Sequence, residues 1–192
     1  SKVATRTLTT EYERTGALPA EQPILVADDL MLFTDEQNAG ALAAATGSDR
    51  TLVGTLKAHL NRIVPGDYLG LLGYIEMNAA NEEQLQAIRR AVRDRYTVAT
   101  CLGFGPRFLH STGQAYKGGP NTGVFLQITC DDAVDLPIPG QRYTFGVVKA
   151  AQARGDFQVL AERGRRALRV HLGKDVKAGL TMLRNVIGQA LR

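Results

Sequence analysis

Residues 103–123 read GFGPRFLHSTGQAYKGGPNTG, a glycine-rich segment that lies between two apolar runs. The runs, residues 98–102 and 124–128, have the length and the β-branched content of buried strands. Pro106 can occupy the first position of a helix between them, because its missing N–H would have no partner there. The segment therefore predicts a strand, a helix over residues 106–117 and a second strand.

Three polar side chains would share one face of this predicted helix. His110 and Gln114 are four residues apart, and Arg107 precedes them on the same side. The start of such a helix presents free N–H groups to the edge of a parallel sheet where ligands bind. Because an imidazole can exchange protons near neutral pH, the pattern predicts a site for a polar, anionic small molecule with His110 as proton carrier. Alternatively, His110 bridges backbone groups in a half-buried helix.

Strand and helix patterns alternate along the rest of the chain. Residues 67–76 form a nearly uninterrupted apolar run, as expected for a strand buried on both faces. Short strands are expected at residues 24–26, 30–34 and 166–172, the last at an edge or half-buried. Helices are expected at residues 2–16, 35–45, 52–63, 81–96, 143–160 and 176–191. The alternation predicts an α/β fold, a three-layer αβα sandwich with a mostly parallel sheet.

Lys149 stands out in the helix predicted at residues 143–160, because its neighbours are mostly small or apolar. A lysine in such surroundings can take part in proton exchange. The alternative is an ordinary lysine whose stem packs on the surface while its ammonium group reaches solvent.

Length and charge restrict the class of protein. A chain of 192 residues with 44% hydrophobic content predicts one domain, residues 1–192, with an entry helix and loop in 1–47 and an αβα core in 48–192. The net charge of +4 favours anionic ligands such as phosphates. The arginines within residues 89–95 could bind nucleic acid, but a solvated helix face is the preferred interpretation, so no nucleic-acid partner is predicted. No membrane segment or signal pattern is present, which predicts a cytoplasmic protein.

Metal-binding patterns are absent from the sequence. There is no CxxC or HExxH motif, and the three histidines are far apart in sequence. Asp131, Asp132 and Asp135 fit no calcium-loop spacing and are interpreted as turn and cap residues. We expect neither a metal nor a cofactor.

Several strings are specific enough to indicate a family. FGPRFLHSTGQ, KGGPNTGVFLQIT, YTFGVVKAAQARGD and RALRVHLG resemble the C-terminal sugar-isomerase (SIS) half of glucose-6-phosphate isomerase. They look most like the version fused behind transaldolase in certain bacteria. The resemblance covers roughly residues 8–183 and implies an SIS-like fold, a sugar-phosphate substrate and a place in carbohydrate metabolism.

The resemblance also implies roles for individual residues. The histidine and lysine of the family's ring-opening pair match His110 and Lys149, which would be catalytic. The family's histidine typically reaches the neighbouring subunit, which implies a homodimer. We further expect five polar residues near these two motifs to contact the substrate: Arg107, Ser111, Gln114, Lys117 and Asn121.

Two features of the family are missing here. No ESxGK-like segment with the catalytic glutamate is present, and no Ser/Thr-rich phosphate loop is found. The family's glutamine seven residues before the lysine falls at Arg142, so this chain lacks that amide. We therefore expect this chain to be inactive alone and to need upstream SIS and transaldolase domains of the same polypeptide. The alternatives are a non-catalytic, sugar-phosphate-binding regulatory module and a nucleic-acid-binding domain.

Overall fold

The computed structural model describes residues 1–192 and has a six-stranded sheet with helices on both faces. The strands are Leu25–Ala27 (β1), Leu30–Phe33 (β2), Tyr68–Tyr74 (β3), Ala99–Phe104 (β4), Gly123–Cys130 (β5) and Arg166–Leu172 (β6). The helices are Lys2–Thr15 (α1), Glu36–Thr46 (α2), Leu52–Leu60 (α3), Ala79–Tyr96 (α4), Thr112–Gly118 (α5), Phe145–Glu162 (α6) and Val176–Ala190 (α7). The predicted three-layer α/β class is confirmed.

The sheet order is β1-β2-β6-β5-β3-β4, and the last four strands of this order are parallel. Leu126 of β5 lies opposite Leu71 of β3 and Leu168 of β6, at the centre of the parallel part. The β1–β2 hairpin is antiparallel, and β2 also pairs antiparallel with β6. The sheet is therefore mostly parallel, as predicted.

The expectation that β6 is an edge or half-buried strand is wrong, because the hairpin pairs with its outer side and most of its residues are buried. Residues 1–47 thus contribute two strands to the sheet in addition to the expected entry helix. The alternating polar residues of β6 do not face solvent: the side chain of Arg169 is only 4% exposed. Alternation correctly predicts a strand, but it cannot distinguish a solvent-facing side from one covered by a helix.

The two faces of the sheet differ in composition. On one face, α2, α3, α4 and α7 bury a large aliphatic cluster that includes Leu71, Leu126 and Leu168. On the other face, α6, α5 and α1 enclose a smaller cluster in which aromatic residues such as Tyr74 and Phe125 predominate. None of the helices is long and apolar enough to cross a membrane.

Side-chain caps fix the start of most helices. Asp35, as predicted, begins α2 by accepting a hydrogen bond from the N–H of Asn38 at 3.0 Å. The side chain of Thr51 caps α3, and that of Asn78 caps α4. In both cases the capping oxygen accepts from the N–H three residues later, which satisfies a group that the helix leaves free.

The predicted continuous helix over residues 106–117 is wrong. A single 3-10 turn, Arg107–Leu109, is followed by α5, and His110 lies between them. The turn places Phe108 in the aromatic cluster, with its ring centroid 5.4 Å from that of Tyr74. The following Ser-Thr-Gly residues favour helix ends over helix interiors, so the chain restarts a helix at Thr112.

Candidate functional site

A cavity of about 310 Å3 lies at the carboxyl ends of β3, β5 and β6, between the sheet and α6. Its floor is a row of neighbouring residues in the sheet: Met31, His171, Thr129 and Tyr74. These four side chains share one face because they are paired across adjacent strands. The carboxyl edge of a parallel sheet is where ligands bind in open α/β folds, so this cavity is the candidate site.

The α6 wall of the cavity combines two cationic residues with two small ones. Lys149, Ala150, Ala153 and Arg154 line it, a spacing that places them along one side of the helix. The alanines leave space that longer side chains would fill. The third wall is formed by residues 17–24, which connect α1 to β1 and place Leu18 and Glu21 at the opening.

Lys149 lies within this cavity, consistent with its predicted involvement in a site. Its ammonium group forms an ion pair with Asp132, and its Nζ is 4.0 Å from the Sγ atom of Cys130. Burial raises the pKa of the Cys130 thiol, and the positive charge of Lys149 opposes that shift. The lysine is thus held at a fixed position, with its charge directed to the strand ends.

His171 is a cavity residue that the sequence pattern does not single out. Its Nδ1 lies 2.9 Å from the hydroxyl of Thr129, and its Nε2 lies 3.4 Å from a carboxylate oxygen of Asp131. Burial lowers the pKa of His171, while the nearby Asp131 carboxylate acts in the opposite direction. The signal available in the sequence is its position two residues after Arg169 in a strand, which places both side chains on one face.

Two arginines complete the cationic lining. Arg154 of α6 and Arg169 of β6 both contact one carboxylate oxygen of Glu21, each at 2.7 Å. Burial lowers the pKa of Arg154, whereas Glu21 raises it and Arg169 lowers it further. The cavity thus combines a lysine, a histidine and two guanidinium groups, a set suited to an anionic ligand and to proton exchange.

The structure does not bring His110 into this cavity. His110 is exposed between the 3-10 turn and α5, and its ring forms no hydrogen bond or ion pair. Ser111 and Gln114 are also exposed and form no side-chain hydrogen bond. Arg107 is exposed and contacts the sulfur of Met77 at 3.2 Å, beside a separate shallow depression of about 320 Å3. Within one chain, Lys149 and the predicted residues around His110 therefore form separate groups.

Lys117 and Asn121 are engaged in contacts within the fold. Lys117 forms an ion pair with the buried Asp156, which joins α5 to α6. Asn121 donates a hydrogen bond to the carbonyl of Gly164 at 3.1 Å, at the amino end of β5 and thus at the edge opposite the cavity. The loop between them is held by Arg165, which donates to the carbonyl groups of Lys117 and Gly119. The glycine-rich loop makes a bend here and does not line the cavity.

Three of the four arginines of α4 also bind groups of their own chain. Arg89 donates to the hydroxyl of Thr100 at 3.1 Å, and Arg93 pairs with Asp94. Arg95 donates to the carbonyl of Leu191 and lies over the ring of Tyr96. These contacts hold Arg89, Arg93 and Arg95 against their own chain. Elsewhere, no group of three or more His, Cys, Asp or Glu residues is arranged to hold a metal ion.

Comparisons with known proteins inform the fold only. No family model and no curated protein matches the chain. Among solved structures, the chain is similar to a hypothetical protein, TT0462, from Thermus thermophilus, with a TM-score of 0.62 and 16% sequence identity. The match covers 82% of this chain and 44% of that one, so this chain spans less than half the length of that protein. At this identity the similarity supports the α/β fold and carries no information on substrate.

Proposed function

We propose that the chain is the C-terminal sugar-isomerase domain of a glucose-6-phosphate isomerase, part of a larger transaldolase-isomerase polypeptide and incomplete alone. The observation that carries the proposal is the position of Lys149, which is fixed by Asp132 in a cationic cavity at the carboxyl ends of the parallel strands. The reaction would interconvert glucose 6-phosphate and fructose 6-phosphate by ring opening and an enediol. A cytoplasmic location is part of the same proposal.

Lys149 would act on the ring oxygen of the sugar. Its ammonium group can donate a hydrogen bond or a proton to that oxygen while His110 takes the proton of the anomeric hydroxyl, so that the ring C–O bond breaks and a carbonyl forms. The ion pair with Asp132 holds the Lys149 ammonium group in place, where it can stabilise the negative charge that develops on the ring oxygen. The two alanines of α6 leave room for a small polar ligand beside it.

His110 would act in a second active site. Its exposed position, away from the cavity of its own chain, supports the idea that it reaches the cavity of a neighbouring subunit in a homodimer. The other predicted contacts at Arg107, Ser111 and Gln114 lie in the same part of the chain and would accompany it. The roles proposed for Lys117 and Asn121 are the weakest, because each already has a structural partner.

The base that moves the proton between carbons would come from outside these residues. The carboxylates in or beside the cavity are Glu21, Asp131 and Asp132, and each lies beside a cationic or basic partner. None of them is free to approach a carbon-bound proton in this arrangement. This pairing also favours the second candidate, a sugar-phosphate-binding regulatory module with no turnover.

The test is conversion of glucose 6-phosphate to fructose 6-phosphate by the full-length parent protein and by this chain alone. We expect the parent to be active, the chain alone to be inactive, and Lys149→Ala and His110→Ala to reduce kcat of the parent by about a hundredfold or more. Lys57→Ala, which removes an exposed lysine on α3, is the matched control. An active parent that tolerates both substitutions would refute the assignment, and saturable fructose 6-phosphate binding without turnover would support the regulatory module.

A further inference from the structure

Arg169 is a buried cation with an incomplete set of partners. Its side chain is 4% exposed and its guanidinium carbon lies 4.4 Å from the ring centre of Phe33 and 5.6 Å from that of Phe157. Its Nη2 binds Glu21, but its Nε is buried without a hydrogen-bond partner. A buried guanidinium group requires an anion and satisfied N–H groups, so this arrangement has capacity for a further acceptor.

Arg154 approaches the same point from the opposite side of the cavity. Its Nε lies 2.7 Å from the Oε2 atom of Glu21, the same oxygen that Arg169 contacts, while its Nη1 donates to the carbonyl of Pro19. Two guanidinium groups, one from α6 and one from β6, therefore converge on a single oxygen position. Convergent guanidinium groups of this kind recognise phosphate and carboxylate groups.

Glu21 occupies that position from a segment that is neither helix nor strand. Residues 17–24 connect α1 to β1, and the Glu21 side chain is 33% exposed. Glu21 also borders a second cavity of about 390 Å3, which is lined in part by Pro19, Gln22 and Phe157. Both cavities provide open space next to Glu21, and movement of its side chain would leave the strand pairing intact.

We propose that Arg154 and Arg169 form a binding subsite for the phosphate group of a small phosphomonoester, and that Glu21 is an internal occupant which this ligand displaces. The sugar part of the ligand rests on the proposed isomerase function, whereas the anion subsite does not. Phosphate must compete with the carboxylate of Glu21, which lowers the affinity of the unmodified chain for phosphate. Removal of that carboxylate should therefore raise the affinity. The subsite lies on the cavity wall beside Lys149.

Titration calorimetry with inorganic phosphate at constant ionic strength tests the proposal. We expect Glu21→Gln, which keeps the shape but removes the charge, to bind phosphate about tenfold more tightly than the unmodified chain. Glu11→Gln is the matched control, because Glu11 is 35% exposed and also pairs with an arginine, Arg14, on α1. Equal phosphate affinity in the unmodified chain and in Glu21→Gln overturns the proposal.

A second set of variants separates the subsite from the isomerase chemistry. In the Glu21→Gln background, Arg154→Gln should reverse the gain in phosphate affinity, and it avoids the folding risk of altering the buried Arg169. Lys149→Ala should weaken phosphate binding much less than Arg154→Gln does, while it lowers kcat of the parent by about a hundredfold or more. A larger loss of phosphate binding in Lys149→Ala than in Arg154→Gln, or full phosphate binding in the Arg154→Gln double variant, would overturn the subsite irrespective of the proposed activity. Fructose 6-phosphate, titrated in parallel, shows whether a sugar attached to the phosphate adds affinity.

Discussion

The two faces of the sheet are made from alternate residues of the same strands, yet they serve different purposes. Leu126 and Leu168 enter the aliphatic cluster beneath α3, α4 and α7, which contains 25 buried residues against 9 on the α6 face. The next residues along, Gln127 and Arg169, face α6. Burial of apolar area stabilises the fold mainly on the first face. The second face can therefore accommodate polar groups and a cavity.

Polar groups on the α6 face are satisfied by specific partners. Gln127 donates to the carbonyl of Ala153 at 3.0 Å, Lys117 pairs with Asp156, and Arg169 binds Glu21. On such a face the energetic effect of a substitution depends on what it leaves unpaired. On the aliphatic face it depends on the volume removed. The effects of substitutions on stability should therefore differ between the two faces in magnitude, in pH dependence and in the kind of second substitution that restores stability.

The largest effect is expected for Lys117→Met on the α6 face. It leaves the buried Asp156 without its partner, which should reduce the free energy of unfolding by about 3–5 kcal/mol. The double variant with Asp156→Leu should recover much of the loss in urea unfolding, because no buried charge remains. A double variant as unstable as Lys117→Met would show that packing, and not charge pairing, governs this site.

The pH dependence of Lys117→Met provides a second measurement. Burial raises the pKa of Asp156, and the ion pair with Lys117 opposes that shift. Without Lys117, Asp156 is protonated more readily in the folded state than in the unfolded chain. The deficit in stability should therefore shrink as the pH falls from 7 toward about 4 and grow as it rises again.

Leu126→Ala should have the next largest effect, through loss of volume on the aliphatic face. Leu126 is fully buried in the central strand β5, so a cavity remains after truncation. We expect a loss of about 3 kcal/mol in urea unfolding, with phosphate binding at the α6 face unchanged. Leu126→Met, which keeps the volume, should cost less than about 1.5 kcal/mol. A loss of phosphate affinity in Leu126→Ala would show that the two faces are energetically coupled.

His59 is a buried titratable group on the aliphatic side and should make stability depend on pH. It is fully buried in α3, its Nε2 donates to the carbonyl of Phe125 at 3.0 Å, and its Nδ1 has no partner. Burial lowers the pKa of His59 from 6.5 to about 3. The unfolded chain therefore binds the proton first, and stability is complete above pH 6.5 and declines as the pH falls toward 3.

The decline attributable to His59 should reach about 1.4 kcal/mol per pH unit below its unfolded pKa. His59→Gln can keep the hydrogen bond to Phe125 but cannot take up a proton in this range. The difference between the unfolding free energies of the two proteins, followed from pH 7 downward, isolates the contribution of His59. If the unfolding free energies of the two proteins change with pH in parallel, then His59 can be protonated in the folded state.

The sequence is informative where a structure depends on neighbouring residues. The continuous apolar run around β3 predicts a strand buried on both faces, and Asp35 correctly marks the start of α2. These features arise from hydrophobic burial and from hydrogen bonds over three or four residues. The order of the strands is not accessible in this way, because the pairing of β2 with β6 joins segments that lie far apart in the sequence.

The candidate site is harder to predict than the fold. The alternation of Arg169 and His171 with apolar residues indicates a strand at an edge or half-buried, since the pattern does not reveal that α6 covers the polar side. The spacing of His110 and Gln114 predicts a shared helix face, but the helix is interrupted at His110, between the 3-10 turn and α5. Lys149 stands out by its unusual surroundings on α6, and it does lie in the cavity.

The smallest effect on stability is expected for His110→Ala. The imidazole is exposed and has no partner in its own chain, so the free energy of unfolding should change by less than about 0.5 kcal/mol. Phosphate binding by this chain should also be unchanged, because His110 is outside the cavity. If His110 serves the active site of a second subunit, the same substitution should lower kcat of the full-length parent by about a hundredfold or more.

Asn185→Ala, an exposed substitution on α7 at the opposite face of the sheet, is the control for His110→Ala. Mixing the inactive His110→Ala and Lys149→Ala parents then distinguishes action across subunits from action within one. In a mixed dimer, one of the two sites would receive an intact lysine from one chain and an intact histidine from the other. Random pairing of equal amounts makes about half of the dimers mixed, so about a quarter of the normal activity should return. If mixed dimers form but no activity returns, His110 and Lys149 act within one chain. The two residues lie in separate groups in this structure, so such action would require the residues that follow β4 to rearrange.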